Sequence, residues 1–422
     1  MIVLIALFFL FSSIFSFCLF RNLLNPPFLL SVTWFFIFSF YSLAPFYDGE
    51  PNYYYLLFPG GHVLFMIGFI IITLRTKTTK KVYKENTRPK VNYRMFNILI
   101  VAQFVIFLLT LSRAITAIKS NFISNWWFTL KWMSNEEMYS NGWIFDYTRI
   151  LSFVLTYVLA ALSFSYKEKR TKRLFLGQFV LAIMFALLSL GRTFLFQLII
   201  PIVFLYLFIN IKDSKLAMRV LIKFLLISLV IFFSINSLKY VSSSSSSIMD
   251  SFYLYFTGSI KGFVEWAATF NHFEYGKNTF RFFLAVFNQL GYGVQSDSIQ
   301  EGFIDIGNGF TTNVYSIYKW YFSDFGSIYA LLIQLILGIT YGVLYINLFN
   351  KKGITRVIFL SIAYYPLFMQ FFQDQYLSLT STWIQISFWL YLILHSGIFI
   401  KKEKANDKLR HSSSKLERRI SN

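Results

Sequence analysis

The chain has 422 residues, of which 56% are hydrophobic, 21% are aromatic and only 14% are charged. Soluble domains usually contain about 25% charged residues, and a water-soluble fold of this length could not bury so many Phe, Leu and Ile side chains. The composition therefore excludes a soluble enzyme, a disordered chain and a disulfide-rich scaffold, and it predicts a protein that lies mostly in a bilayer. A formal net charge of +20 would suggest nucleic-acid binding in a soluble protein, but here it is first a signal of membrane topology.

Eleven apolar runs are long enough to be membrane-spanning helices. They cover about residues 2–20, 28–46, 56–74, 95–111, 149–166, 174–190, 194–211, 224–239, 326–349, 357–372 and 383–400. The period-2 alternation of a transmembrane barrel is absent. The predicted fold is an all-α polytopic membrane protein with about 11 transmembrane helices. No basic residues precede the first run, so we expect a retained span rather than a cleaved signal.

Charged residues divide the connections between these runs into two faces. One face consists of residues 21–27, 75–94, 167–173, 212–223, 350–356 and 401–422. It contains 29 of the 39 basic and 6 of the 19 acidic residues, a net charge of +23, and the remaining residues carry −3. The positive-inside rule then places the N-terminus outside and the C-terminus in the cytoplasm. We expect one transmembrane domain over residues 1–400 and a basic cytoplasmic tail over 401–422, near anionic lipid.

Two of the predicted external segments are long, about 112–148 and 240–325. Both are rich in Trp and Tyr, which suits the membrane interface and equally suits sugar binding by ring stacking. We expect short helices within the larger segment. The candidates for sugar binding are Tyr315, Trp320 and His272.

The sequence lacks the glycine-rich motifs of nucleotide-binding folds, so we expect neither an ATP-driven pump nor a cofactor. No metal is expected either, because no two of the four histidines have ligand spacing and Cys18 is the only cysteine. Asp48-Gly49-Glu50 is a weak acidic motif of the kind that can hold a metal. Gly338 and Gly342 form a GxxxG pattern, which predicts close helix packing.

The most informative interruption of the apolar pattern is Ser189-Leu190-Gly191-Arg192-Thr193, inside the stretch 174–211. It predicts a tight turn that leaves Arg192 near the external surface of the membrane. An Arg at the bilayer centre costs about 2.5–3.5 kcal/mol, and this one also opposes the inside preference of positive charge. Arg192 is therefore expected to meet an anion, the alternatives being interfacial snorkelling or a structural ion pair. Arg113, Arg149 and Arg281 lie on the same predicted face, and the four could hold a diphosphate bidentately.

Transfer to a sugar hydroxyl requires a proton acceptor within hydrogen-bond reach. Among the external acids, Glu301 and Asp324 are our candidates for this catalytic role, with His272 as a third. Arg192 is the candidate for stabilising charge on the leaving group.

Two stretches resemble a known family. Thr312-Asn313-Val314-Tyr315, followed by Asp324-Phe325-Gly326, resembles a "TNVY…DFG" pattern of bacterial oligosaccharide repeat-unit polymerases, the Wzy-type O-antigen and capsule polymerases. Leu188–Thr193 is similar to their "SGSRT" element between two spans. The plan of 10–14 spans with one or two large external loops is also similar. Some members carry paired RX10G loops, whereas the glycines after Arg281 fall at 291 and 293, one short and one long of that spacing.

The resemblance implies a multi-pass glycosyltransferase of the bacterial cytoplasmic (inner) membrane, acting in lipopolysaccharide or capsule biosynthesis. Its substrates would be two undecaprenyl-diphosphate-linked glycans: the growing chain leaves its lipid diphosphate and is transferred to a new lipid-linked repeat unit. The implied partners are these glycans, membrane lipids, a chain-length regulator and a flippase, and no nucleic acid.

Three alternatives compete with this interpretation. A Wzx-type lipid-linked oligosaccharide flippase would have similar length, but it usually has short loops and charged residues within many spans. An O-antigen ligase is expected to need an external histidine, for which only His62 and His272 qualify. A non-enzymatic scaffold gives no reason for the membrane-level Arg192.

Overall fold

The computed structural model describes residues 1–75, 89–121, 125–136, 138–211, 213–240, 248–293, 302–350 and 353–401. The α-helices within them are α1 (Ile2–Phe20), α2 (Pro26–Tyr41), α3 (Leu57–Leu74), α4 (Tyr93–Asn121), α5 (Trp126–Asn135), α6 (Trp143–Tyr166), α7 (Lys169–Leu188), α8 (Arg192–Asn210), α9 (Ser214–Tyr240), α10 (Ile248–Thr269), α11 (Arg281–Phe287), α12 (Tyr318–Asn350), α13 (Ile354–Phe368) and α14 (Thr380–His395). The two-residue strands are β1 (Lys90–Val91), β2 (Ile304–Asp305), β3 (Thr311–Thr312) and β4 (Ile400–Lys401).

Each predicted span coincides with one of these helices. Within the described part of the chain, eight helices are long and apolar enough to cross a membrane, namely α1, α3, α4, α6, α7, α8, α12 and α13. The prediction of an all-α, multi-pass membrane protein is thereby confirmed. The other three predicted spans fall in α2, α9 and α14. Because α2 and α14 have 16 residues each, they are about 24 Å long, shorter than the hydrocarbon core of about 30 Å. The count of eleven spans and their orientation stay predictions.

The segments predicted to be external contain more helix than expected. α4 continues to Asn121, ten residues beyond the predicted end of its span. Instead of only short helices, the segment 240–325 contains the 22-residue α10. Its apolar residues recur at helical spacing, and Ile260, Phe263 and Ala267 are fully buried on one face. A long amphipathic stretch of this kind folds as one helix because its apolar face packs against the bundle.

Contacts between distant connections fall into two groups. In the first, β1 pairs with β4 in antiparallel fashion, and Asn22 Nδ2 donates to Tyr345 Oη at 2.7 Å. In the second, Asn308 Nδ2 donates to the Pro45 carbonyl at 2.6 Å, and α10 packs against α2 and the end of α13. The charge count assigns these two groups of connections to opposite faces. We call the second group the α10 end of the bundle; it comprises residues 42–56, 138–142, 189–191, 248–293, 302–325 and 369–379.

The GxxxG prediction is confirmed as packing of α12 on α3. A methyl group added at Gly338 would lie 2.1 Å from the Phe65 carbonyl oxygen, and one at Gly68 would lie 2.4 Å from the Leu335 carbonyl oxygen. Only glycine permits such an approach of two backbones. This contact joins the first three helices to the rest of the bundle.

Two of the three hydrophobic cores among the described residues share helices. One is built mainly from α1, α2, α3, α10, α12 and α13, and the other from α6, α7, α8, α13 and α14. α8 and α13 contribute to both, so the residues at their ends are held from two sides. This rigid framework places the turn before α8 and the connection after α13 side by side.

Candidate substrate-binding site

The predicted break between two spans is a three-residue turn, 189–191, between the end of α7 and the start of α8 at Arg192. Leu190 has φ +58°, a left-handed conformation that costs a non-glycine residue about 1–2 kcal/mol, but its side chain is buried, which offsets this cost. Gly191, at the N-cap, has no side chain that could cap the helix. Arg192 therefore lies at the positive end of the helix dipole, where an anion is favoured.

Arg149 brings a second guanidinium to this turn. Its Nη1 donates to Ser189 Oγ at 3.0 Å and pairs with Asp146 Oδ1 at 2.9 Å, while its Cζ lies 3.8 Å from the centre of the Phe194 ring. The Arg149 side chain is only 11% exposed. Its Nε is buried without a hydrogen-bond partner among the described residues. A buried N–H of this kind is costly to leave unpaired.

Tyr255 of α10 lies against Arg192, whose Cζ is 5.0 Å from the centre of the phenol ring. Burial raises the pKa of Tyr255 to about 12, although the charge of Arg192 acts to lower it. The phenol is therefore protonated at neutral pH and can donate a hydrogen bond. Tyr365 interacts electrostatically with both Tyr255 and Arg149. We call Arg149, Arg192, Tyr255 and Tyr365 the arginine cluster.

Arg113 is one loop away from the arginine cluster. A methyl group added at Gly142 would lie 3.6 Å from Arg113 Nη1. The same loop is tied to the end of α7, because Asn141 Nδ2 donates to the Leu188 carbonyl at 3.0 Å. The structure thus brings three of the four predicted arginines to one neighbourhood.

Arg281 begins α11, directly after the turn that Asp324 holds. Asp324 is fully buried, and it accepts hydrogen bonds from the backbone N–H groups of Asn278 at 3.1 Å and Thr279 at 2.7 Å. The Asn278 amide and Thr279 hydroxyl also donate to it, at 3.1 and 2.5 Å. Both carboxylate oxygens are therefore engaged in fixing residues 275–280. This geometry favours an anchoring role for Asp324, and its catalytic role stays a prediction; Glu301 lies outside the described residues.

The predicted sugar-binding aromatics gather around an ammonium group that the sequence reasoning did not single out. Lys319 Nζ lies 3.7 Å from the centre of the Tyr315 ring, 5.0 Å from that of Trp266 and 5.5 Å from that of Trp320. We call these four residues the lysine cluster. A signal was present in the sequence, because Lys319 is one of few basic residues predicted outside and directly precedes a Trp.

His272 extends the aromatic surface of the lysine cluster. Its ring stacks on Phe270 with centroids 6.0 Å apart, and Phe270 lies 4.6 Å from Trp266. His272 is exposed, and its Nδ1 is 2.7 Å from Asn271 Oδ1. Of the three predicted sugar-binding side chains, His272 is exposed and Trp320 is half-buried, while Tyr315 is buried against Lys319.

Asp48 of the acidic motif takes part in an ion-pair network. Lys261 Nζ lies 2.5 Å from Asp48 Oδ2 and 2.7 Å from Glu265 Oε1. Burial raises the pKa of Asp48, but hydrogen bonds from Lys261 and from the Glu50 N–H outweigh it, and the net pKa is lowered. The network ties the connection after α2 to α10. Among the residues that the structure describes, no three His, Cys, Asp or Glu side chains are grouped to hold a metal.

Asp374, between α13 and α14, is a buried acid that sequence reasoning missed. It accepts hydrogen bonds from Tyr321 Oη at 2.8 Å and from the backbone N–H groups of Tyr376 at 2.9 Å and Ser378 at 2.8 Å. Burial raises the pKa of Asp374 against the opposing effect of these donors. It fixes the connection that carries Gln375, whose Oε1 is 3.0 Å from Tyr365 Oη. From the sequence alone, Asp374 looks like any acid in a short polar connection between two apolar runs, so its anchoring role could not be predicted.

Comparison with known proteins yields no relative: no family model, curated protein or solved structure matches the chain. Function is therefore argued from the two clusters. α10 connects them, because Tyr255 lies near its start and Trp266 in its last turn. Eleven residues separate these two positions, which is about 16 Å along the helix axis.

Proposed function

We propose that the chain is a glycosyltransferase of the bacterial inner membrane that polymerises undecaprenyl-diphosphate-linked oligosaccharide repeat units at the external face. The growing chain is the donor and a new lipid-linked repeat unit is the acceptor. The observation that carries this proposal is the arginine cluster, in which Arg149 and Arg192 meet at a helix N-terminus on a multi-pass bundle. The lysine cluster at the same end supports a saccharide substrate, and the resemblance of Leu188–Thr193 to a polymerase element lies at the arginine cluster itself.

The chemistry follows from what these groups can stabilise. A hydroxyl of the acceptor attacks the anomeric carbon of the donor while the bond to the diphosphate oxygen breaks, and negative charge develops on the leaving diphosphate. Guanidinium groups of Arg149 and Arg192, the Tyr255 hydroxyl and the first N–H groups of α8 are donors suited to that charge. The hydroxyl proton passes to a carboxylate, for which Glu301 is the candidate. Because the donor is already activated, no nucleotide-binding fold is required.

Complementation of a polymerase-null strain tests the proposal. Wild-type protein should restore long surface glycans, whereas Arg192→Lys should shorten them strongly, since a point charge replaces a bidentate donor. In purified protein we expect kcat/KM to fall at least tenfold, because a hydrogen bond between charged groups contributes about 1.5–3 kcal/mol. Arg170→Ala is the matched control: Arg170 also lies over a ring, that of Tyr93 at 4.2 Å, but at the other end of the bundle.

Normal chain length with Arg192→Ala would show that the site assignment is wrong. Repeat units that accumulate on the cytoplasmic leaflet of the null strain would indicate the flippase instead. Of the two histidines that an O-antigen ligase could use, His62 is not exposed. It is a buried residue of α3, with Nε2 2.7 Å from Ser12 Oγ and 2.8 Å from Ser31 Oγ. A null strain that makes long chains without attaching them, together with loss of attachment by His272→Ala, would favour the ligase.

A further inference from the structure

The lysine cluster joins three separate parts of the chain at the far end of α10. Trp266 comes from the last turn of α10, Tyr315 from the connection before α12, and Lys319 and Trp320 from the first turn of α12. The connection is fixed at both ends of Tyr315, because Tyr315 Oη donates to the Gly302 carbonyl at 2.9 Å and the Ser316 N–H donates to the Ser259 carbonyl at 3.3 Å. The cluster is therefore a preformed arrangement rather than a set of loose side chains.

Its chemistry matches a saccharide. The rings of Trp266 and Trp320 are half-buried, so each keeps part of its surface accessible to the C–H face of a sugar. Burial lowers the pKa of Lys319 to about 7, although the nearby Glu274 carboxylate acts to raise it. At neutral pH the amine is therefore protonated in only part of the molecules, and it can donate hydrogen bonds to sugar hydroxyl oxygens. Sites for small ligands are typically lined by aromatic side chains and contain a small number of precisely placed polar groups.

The separation of the clusters defines what Lys319 can do. Tyr255 and Trp266 are about 16 Å apart along α10, while proton transfer requires contact within about 3 Å. Lys319 is therefore not the base for a reaction at a diphosphate held by Arg192. A saccharide chain that extends from that diphosphate along α10 would place one of its later sugars next to Lys319.

We propose that the lysine cluster is a saccharide subsite for a donor sugar several residues beyond the diphosphate, so that α10 selects complete repeat units over truncated ones. This inference rests on the proposed function, because the arginine cluster sets the origin from which the distance is counted. Lys319 and Trp266 are specificity-determining residues in it, and neither takes part in bond breaking.

The test compares two donors with purified full-length protein in nanodiscs. One is the repeat-unit lipid isolated from polymerase-null cells, and the other is undecaprenyl diphosphate that carries only its first sugar. For Lys319→Gln and Trp266→Leu we expect KM for the complete donor to rise about tenfold with kcat unchanged, and both constants for the single-sugar donor to stay at wild-type values. Matched controls are Lys277→Gln, at an exposed residue of the same end, and Trp143→Leu, at an exposed residue that directly follows residues 138–142 of that end in the chain. Both should leave the kinetics with either donor unaffected.

The single-sugar donor also reports on folding. A variant that loses the same fraction of its activity with both donors would contradict the subsite proposal. A variant that keeps wild-type activity with both donors would contradict it as well. Wild-type protein that transfers neither donor would instead overturn the proposed function, so the two failures are distinguishable. Restoration of the low KM by Lys319→Arg would support a role of the positive charge.

Discussion

Replacing Asp324 separates an anchoring role from a catalytic one. In the structure its carboxylate accepts four hydrogen bonds from Asn278 and Thr279, and Thr279 is buried. Asp324→Asn keeps the shape but removes the charge and turns one oxygen into a donor that faces other donors. Hydrogen bonds to a charged acceptor contribute about 1.5–3 kcal/mol each and are not additive, so we expect residues 275–280 to lose about 3 kcal/mol of local stability.

Hydrogen exchange measures this loss directly. A local change of about 3 kcal/mol corresponds to roughly two orders of magnitude in the opening equilibrium, so the amides of Asn278 and Thr279 should exchange about 100-fold faster in Asp324→Asn. The matched control is Asp305→Asn in the same segment, since Asp305 is exposed and accepts a single bond from the Gly307 N–H. Asp324→Asn with wild-type exchange rates and no transferase activity would refute the anchoring role and restore the catalytic prediction.

Two further predictions concern stability. Gly338→Ala places a methyl group 2.1 Å from the Phe65 carbonyl oxygen and should lower the unfolding temperature by several degrees. The control Gly177→Ala, in an exposed helical position with open space around it, should leave the unfolding temperature unchanged. Equal unfolding temperatures of the two variants would contradict the packing of α3 on α12. The lowered pKa of Asp48 means that its pairing with Lys261 stabilises the fold above the unfolded-state pKa of about 3.9 and is lost as the pH falls through the lower folded-state value. Asp48→Asn should therefore unfold at a lower temperature than wild type at pH 7, with the difference vanishing in acid, and a difference that persists at pH 2 would contradict the assignment.

Local patterns in the sequence were enough to predict the framework. Apolar runs predict helices in lipid, because a spanning backbone must satisfy its own hydrogen bonds, and every predicted run coincides with a helix. The turn at Arg192 was predictable since Arg192 is the one charged residue of the long apolar stretch 174–211. The close packing at Gly338 and Gly342 of α12 was predictable from their GxxxG spacing. The sequence did not indicate that α3 is the helix that packs there.

The side-chain pairings of the site were not predictable in this way. Asp48 and Lys261 are 213 residues apart in the chain, and Asp324 meets Thr279 across 45 residues. Such contacts depend on how loops pack at one end of the bundle, and residue type alone does not distinguish a solvated acid from an anchor. His62 was wrongly counted among the external histidines: it lies within the apolar run, where serines of α1 and α2 contact its Nε2.

The pairing of β1 with β4 has a consequence for how the chain is assembled. It brings the residues just before α4 next to those just after α14, so the part from residue 89 to residue 401 is closed on itself. Residues 1–75 pack onto that part through the glycine contact between α3 and α12 and through the core that α1, α2 and α3 share with α10, α12 and α13. Because that shared core lies between them, two polypeptides interrupted between residues 75 and 89 should reassemble without a covalent link when they are co-expressed in one membrane.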